Sequence, residues 1–139
     1  MTVTVPAAGK VAQLDAYGTY WGAGALLRIY SGTPPADVNA SLSGNSILAV
    51  VTPTPAGAVT SGAGATKDML GGTKSTTGLA AAGVGTNATF YRVYASDGTT
   101  VKEQGSITNT GGGGDMTLNN VSIAQNQPVD ITGFTKSIA

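Results

Sequence analysis

Apolar and polar residues alternate along this chain in short runs, with a period of two more often than the wider spacing of a helix. From Thr89 to Ala95, Phe90, Arg92 and Tyr94 alternate with Tyr91 and Val93. From Thr99 to Thr108, Val101, Glu103 and Gly105 alternate with Thr100, Lys102, Gln104 and Ser106. A strand places successive side chains on opposite faces, so both runs read as strands. Asp97-Gly98 lies between them, and this dipeptide is a strong hairpin signal because a two-residue turn needs positive φ at both positions. Residues 88–108 are therefore predicted to form a hairpin with a two-residue turn.

A related phrase stands earlier. In Ala25 to Ser31, Leu27 and Ile29 face one way and Leu26, Arg28 and Tyr30 the other, and Pro34-Pro35 end the run because proline cannot donate to a ladder. LRIYSGT and YRVYASDGT begin 64 residues apart. They represent a duplication, two equivalent strands of facing sheets, or convergence on β-forming residues; two copies are too few for a solenoid. In each, the Arg shares a face with the Tyr two residues on and is placed to stack on a cross-strand aromatic. Further strands are predicted at Ile47–Val51, Met116–Ile123 and Val129–Phe134, with residues 34–45 a loop and a bend at Asn119-Asn120.

Two regions are less defined. Lys10 to Tyr17 suits a turn or two of helix, too short to stand alone; an N-terminal arm ordering against a neighbour fits residues 1–24 equally well. Residues 56–87 are rich in Gly, Ala and Thr. Val59 to Thr66 suits a strand of small residues, and 67–86 read as a flexible surface loop around Met69-Leu70. The strand pattern argues for an antiparallel β-sandwich or a small barrel; the expectation is an all-β chain, an antiparallel β-sandwich, jelly-roll-like or Ig-like, over residues 25–139, with the N-terminal arm and the flexible Gly/Thr/Ala-rich loop.

Composition narrows the chemistry. The chain has 139 residues, enough for one domain with its own core. Charged residues make up 10%, seven basic and seven acidic, where soluble domains average roughly 25%. A neutral, charge-poor surface offers no attraction to nucleic acid or an anionic membrane. It either suits packing against neighbours or is kept soluble by Ser, Thr and Asn. Histidine and cysteine are absent, which removes the commonest acid/base group and the usual soft metal ligands. No apolar run approaches the roughly 20 residues of a membrane span, and MTVTVPAAGK does not read as a signal peptide.

The remaining groups take structural readings. Asp97 belongs to its turn, Glu103 sits beside Lys102 on a strand, and Asp115 caps a strand entry after Gly111–Gly114. Gly71-Gly72-Thr73-Lys74 has the wrong spacing for a phosphate loop, Lys74-Ser75 the wrong spacing for a Ser–Lys pair, and the sequons at Asn39, Asn87 and Asn120 are chance matches in a Ser/Thr-rich chain. No enzymatic activity, cofactor or metal is expected. The aromatic set Tyr17, Tyr20 and Trp21 either seals the core or docks on another subunit, and is the candidate interface.

LLRIYSGTPPA, ILAVV, TFYRVYASDGTTVKEQGSI and the glycine loop followed by DMTLNNVSIAQNQPVDITGFT, in this order over residues 25–135, resemble small virion proteins of tailed bacteriophages. The resemblance implies a structural part of the virion, assembled in the host cytoplasm. A capsid decoration or cement protein comes first, a homo-oligomer (trimer favoured) on the major capsid protein or other virion proteins. A small tail, collar or neck component is the alternative. A carbohydrate- or host-surface-binding β-module, with Tyr17, Tyr20 and Trp21 as a stacking platform, is the competing class.

Overall fold

The computed structural model describes residues 2–72 and 74–139; strands make up 40% of the chain. Helix α1 spans Ala7–Trp21. Eleven strands follow: β1 (Leu26–Ser31), β2 (Ile47–Val51), β3 (Val59–Ser61), β4 (Gly64–Asp68), β5 (Ser75–Thr77), β6 (Thr86–Tyr94), β7 (Val101–Asn109), β8 (Met116–Leu118), β9 (Ser122–Ile123), β10 (Pro128–Gly133) and β11 (Thr135–Ile138), with a 3-10 turn at Ala80–Ala82.

The mostly-β class expected from the sequence is observed, but not as two facing antiparallel sheets. One eight-stranded sheet, ordered β2-β1-β6-β7-β8-β10-β5 with β9 on β6, curls until it is nearly a closed barrel. At the seam between β2 and β5, the Thr76 hydroxyl donates to the Val50 carbonyl at 2.8 Å. The Leu79 N–H donates to the Leu48 carbonyl, also at 2.8 Å. A small second sheet runs β11-β4-β3.

Alternation sorts the barrel wall as the sequence implies. Leu27 and Ile29 of β1, Tyr91 and Val93 of β6, Ile107 of β7 and Val129 and Ile131 of β10 point inward and form one core with Met116 and Leu118. Burying each large side chain contributes about 1.5–3 kcal/mol. The opposite face of β1 and β6 is also covered. Tyr30, Phe90 and Tyr94 make a second cluster with Leu26, Leu42, Ile47 and Val101.

The two similar strands are neighbours in one sheet, antiparallel, with Leu27 opposite Val93, Arg28 opposite Arg92 and Ile29 opposite Tyr91. Like charges facing each other across a pair are unfavourable, and the arginines turn to different partners. Arg28 lies over the Tyr94 ring at 4.6 Å and donates to the Gly98 carbonyl at 3.0 Å. Arg92, only 3% exposed, donates to Gln104 Oε1 at 2.8 Å and to the carbonyls of Ala40 and Asp37 at 2.7 and 3.3 Å. Gln104 Nε2 donates to the Pro35 carbonyl at 3.0 Å. This buried arginine thus fastens residues 35–40 over the outer cluster.

The β6–β7 hairpin departs from the expected two-residue turn. The loop covers residues 95–100: the Gly98 N–H donates to the Ala95 carbonyl at 2.9 Å, and the Ala95 N–H to the Thr100 carbonyl at 2.8 Å. Gly98 alone takes positive φ, at 72°. Asp97 keeps ordinary φ because its carboxylate does other work, accepting from the N–H groups of Thr99 and Thr100 at 2.8 and 2.9 Å. Hydrogen bonds from Thr100 and then Thr99 hold its carboxyl well below the usual carboxylate range.

The pair β7–β8 is parallel, with Ile107 opposite Met116 and Asn109 opposite Leu118, which also departs from the all-antiparallel expectation. Parallel neighbours ordinarily need a crossover of a dozen or more residues. Here residues 110–115 suffice, because the four glycines double back tightly over β7. A Cβ on Gly112 would come within 2.7 Å of the Thr108 side chain, and one on Gly114 within 2.9 Å of the Thr108 nitrogen. Asp115 then accepts from the Ser106 N–H and hydroxyl at 2.9 and 3.0 Å.

The segment expected as an arm forms the fifteen-residue α1, packed against β3, β4 and β11. Pro6 provides no side-chain cap, neither end carries a complementary charge, and Gly9 and Gly18 lie inside it. Its local signals are weak, so docking sustains it. The Val59 to Thr66 stretch, read as a strand of small residues, forms β3 and most of β4; the loop expected over 67–86 is built in, supplying the end of β4 and β5, with Met69 and Leu70 fully buried. Met69 joins through its N–H to the Phe134 carbonyl at 3.0 Å.

Tyr91 lies across its pair partner Gly105, where an added Cβ would meet the hydroxyl oxygen at 2.4 Å. Because Tyr91 is wholly buried, its ring has nowhere to go. Gly105→Ala is expected to destabilise the fold by about 1–3 kcal/mol. Gly57→Ala, into open space, should stay within about 0.5 kcal/mol of the parent. Urea melts of the two variants check this.

Candidate functional site

A two-residue turn at Asp97-Gly98 would set Arg92 opposite Glu103, on the outer face. The observed register sets Arg92 opposite Gln104 and Val93 opposite Glu103, and it shifts before Tyr94, which faces Val101. Lys102 is the extra residue of this bulge. A one-residue slip exchanges the faces of a strand, so Glu103 turns inward beside the core while Lys102 turns out.

Helix α1 docks on this bulge. The Tyr17 hydroxyl donates to Glu103 Oε1 at 3.0 Å, and Lys102 Nζ lies over the Tyr20 ring at 4.2 Å. Lys136 of β11 donates to the same Glu103 oxygen. Burial first, and the Glu103 charge second, push the Tyr17 hydroxyl up to about 12. The same two causes, in the same order, push Tyr91 far above the usual phenol range. Among the described residues, Glu103 Oε2, the Tyr91 hydroxyl and Trp21 Nε1 are buried and make no hydrogen bond of normal geometry.

The three candidate interface residues therefore part company. Trp21 is 1% exposed and packs at a tilt against Phe134 at 5.8 Å, and Tyr91 meets Phe134 edge to face at 4.9 Å. Tyr17 is half-buried in the Glu103 cluster. Tyr20, 51% exposed, is the member that faces solvent. Trp21 is thus unavailable as part of a stacking platform in this state.

Beside the helix, an open groove of about 530 Å³ runs between α1 and residues 55–57. Lys67, 5% exposed, reaches into it. It donates to Asp15 Oδ1 at 2.8 Å and to the Ala56 carbonyl at 2.6 Å. Its stem crosses Gly18, where a Cβ would lie 2.6 Å from Lys67 Cε, so a larger residue there would make the Lys67 side chain shift. The Lys67 hydrogen bond, then the Ala58 N–H, hold the Asp15 carboxyl below its ordinary value. On the other side of α1, a second groove of about 320 Å³ borders Tyr17, Glu103 and Lys136.

Sequence reasoning placed Glu103 on a strand but missed its burial, and it missed Lys67 and Lys136 altogether. The available signal was the alternation Glu103, Gly105, Ile107, which puts the acid on the face of a core residue once the bulge is known. Among the described residues, no group of three or more His, Cys, Asp or Glu is placed to hold a metal ion, and no helix is long and apolar enough to cross a membrane. In comparisons with known proteins, the chain matches no family model, no curated sequence and no solved structure.

Tyr17 and Tyr30 both have folded values raised to about 12 from the ordinary phenol value near 10, Tyr30 by burial and then its hydrogen bond to Tyr94. Raised values make the neutral phenols stabilising: that contribution is complete below about pH 10 and is lost as pH rises through about 12. Urea midpoints should hold to about pH 9 and fall steeply by about pH 11, and Tyr17→Phe should make the fall shallower. Trp21→Ala removes a core side chain and is expected to destabilise the fold by about 3–5 kcal/mol, read from the same melts.

Proposed function

We propose that the chain is a structural component of a tailed-bacteriophage virion, first a capsid decoration protein that binds and stabilises the head shell. The observation that carries this reading is where the charge goes. Each of the seven basic and seven acidic side chains has a partner inside the chain. Lys67, Lys74 and Lys136 pair with Asp15, Asp68 and Glu103. Lys10, Arg28 and Arg92 donate to backbone carbonyls, and Lys102 lies over Tyr20. Asp37, Asp97, Asp115 and Asp130 accept from nearby backbone or hydroxyl groups. Charge is used on holding loops, strands and helix together, even where it is exposed, as at Asp37, Lys74, Asp97, Asp115 and Asp130, and the rest of the surface is rich in Ser, Thr, Ala and Gly.

Such a surface suits repeated packing against many identical neighbours. Copies do not repel each other, and weak contacts act together when many are made at once. The resemblance of residues 25–135 to small virion proteins is in keeping with this reading, and the partner on it is the major capsid protein. Tyr20 and the grooves beside α1 are the features such a partner would meet.

Electron microscopy of purified particles containing the chain tests the reading. Density on the head shell supports it; density at the tail, collar or neck moves the chain to the alternative. Glycan binding abolished by Tyr20→Ala, with no particle association, overturns it. Because the chain carries few charges and no net charge, particle binding should change little between about 0.05 and 0.5 M salt, measured by co-sedimentation.

A further inference from the structure

Near-closure removes most strand edges from this molecule, since β2 and β5 meet at the seam. The small sheet keeps its edges. Its strand β3 pairs with β4 on one side, and among the described residues no backbone hydrogen bond reaches it on the other. All three of its residues are exposed, Val59 by 60%. Exposed edges are usually kept very short or blunted by a charge, a proline or a bulge; β3 is three residues long, but Val59-Thr60-Ser61 carries no charge, proline or bulge, whereas β11 carries Lys136.

The same molecule holds an unpaired segment of matching character. Thr2-Val3-Thr4-Val5 alternates β-branched residues without a charge, a composition that favours strands. It belongs to no helix or strand, and no backbone hydrogen bond between elements reaches it. Val3 is 86% exposed. Pro6, which is extended and opens α1, marks where a strand would stop. Four residues extend over about 13 Å, enough to run the length of β3. The first turns of α1 lie close to the β3–β4 hairpin, where Lys10 donates to the Ala63 carbonyl at 2.9 Å.

We propose that residues 2–5 of one copy add as a fourth strand to the small sheet of a second copy, along the free edge of β3. Backbone hydrogen bonds supply the attraction, and neither segment carries charge to oppose it. The pairing stands independently of the virion reading, since it concerns two copies of this chain alone.

The chain has no cysteine, so introduced thiols report a single contact. A Val3→Cys protein mixed with a Thr60→Cys protein under mild oxidation should give a disulfide-linked heterodimer. By light scattering, the unmodified chain should associate, and Val3→Pro and Val59→Lys should each weaken association roughly tenfold or more. Thermal melts establish that the variants fold; if Val59→Lys does not, Val3→Pro, outside every helix and strand, carries the same comparison. A monomeric parent chain, association unchanged in Val3→Pro, or a Val3→Cys/Thr60→Cys double variant that cross-links only within one chain would each overturn the proposal.

Discussion

The buried carboxylate of Glu103 is the point on which the rest of the structure turns. Taking such a charge out of water costs several kcal/mol unless it is paired and hydrogen-bonded. Its partners come from different parts of the chain: Tyr17 from α1 and Lys136 from β11. Satisfying one acid therefore brings the helix, the barrel wall and the second sheet to the same place. The hydrophobic contacts of Trp21, Phe134 and Tyr91 contribute more free energy, but they do not by themselves specify which way the helix lies. Polar contacts add that direction: the Tyr17 hydroxyl reaches the acid, and Asp15 and Lys10 are tied to Lys67 and the Ala63 carbonyl.

The same economy runs through the molecule. Large side chains are few, so close approach of backbone replaces bulk at several points. Gly105 admits the Tyr91 ring, Gly18 admits the Lys67 stem, and Gly112 and Gly114 let the 110–115 loop lie against Thr108. Charged groups are used as internal fasteners for loops that have little apolar surface of their own, as Arg92 does for residues 35–40. What faces outward is mostly small and sparsely charged, and this character, more than any cleft, shapes the functional reading.

Much of the barrel was legible from the alternation of side chains. The inward pairs Leu27/Ile29, Tyr91/Val93 and Val129/Ile131 follow directly from a period of two. The candidate site was not, because it depends on a single bulge. Asp97-Gly98 carries the chemistry of a two-residue turn, yet Asp97 uses its carboxylate on Thr99 and Thr100, the loop widens, and every residue beyond Lys102 changes face. The helix was legible only as a turn or two at Lys10 to Tyr17, for a different reason. With two internal glycines and no side-chain cap, α1 has little helical character of its own, and its stability comes from residues far along the chain. Met69 and Leu70 were obscured by the small residues around them, although a bulky pair in such a stretch has few places to go but inward.

The doubled-back glycine loop has a consequence for the order in which the chain can assemble. Parallel pairing is usually slow to form because its contacts lie far apart in sequence, and the entropy of closing a long loop comes before any reward. Here Ile107 meets Met116, nine positions on, so this parallel pair is as local as a hairpin. Strands β6, β7 and β8 thus form a continuous three-stranded unit that needs no distant partner. Strand β1, by contrast, waits for β6, and β5 waits for β10. The slow step left to the chain is bringing its two ends around that ready-made wall.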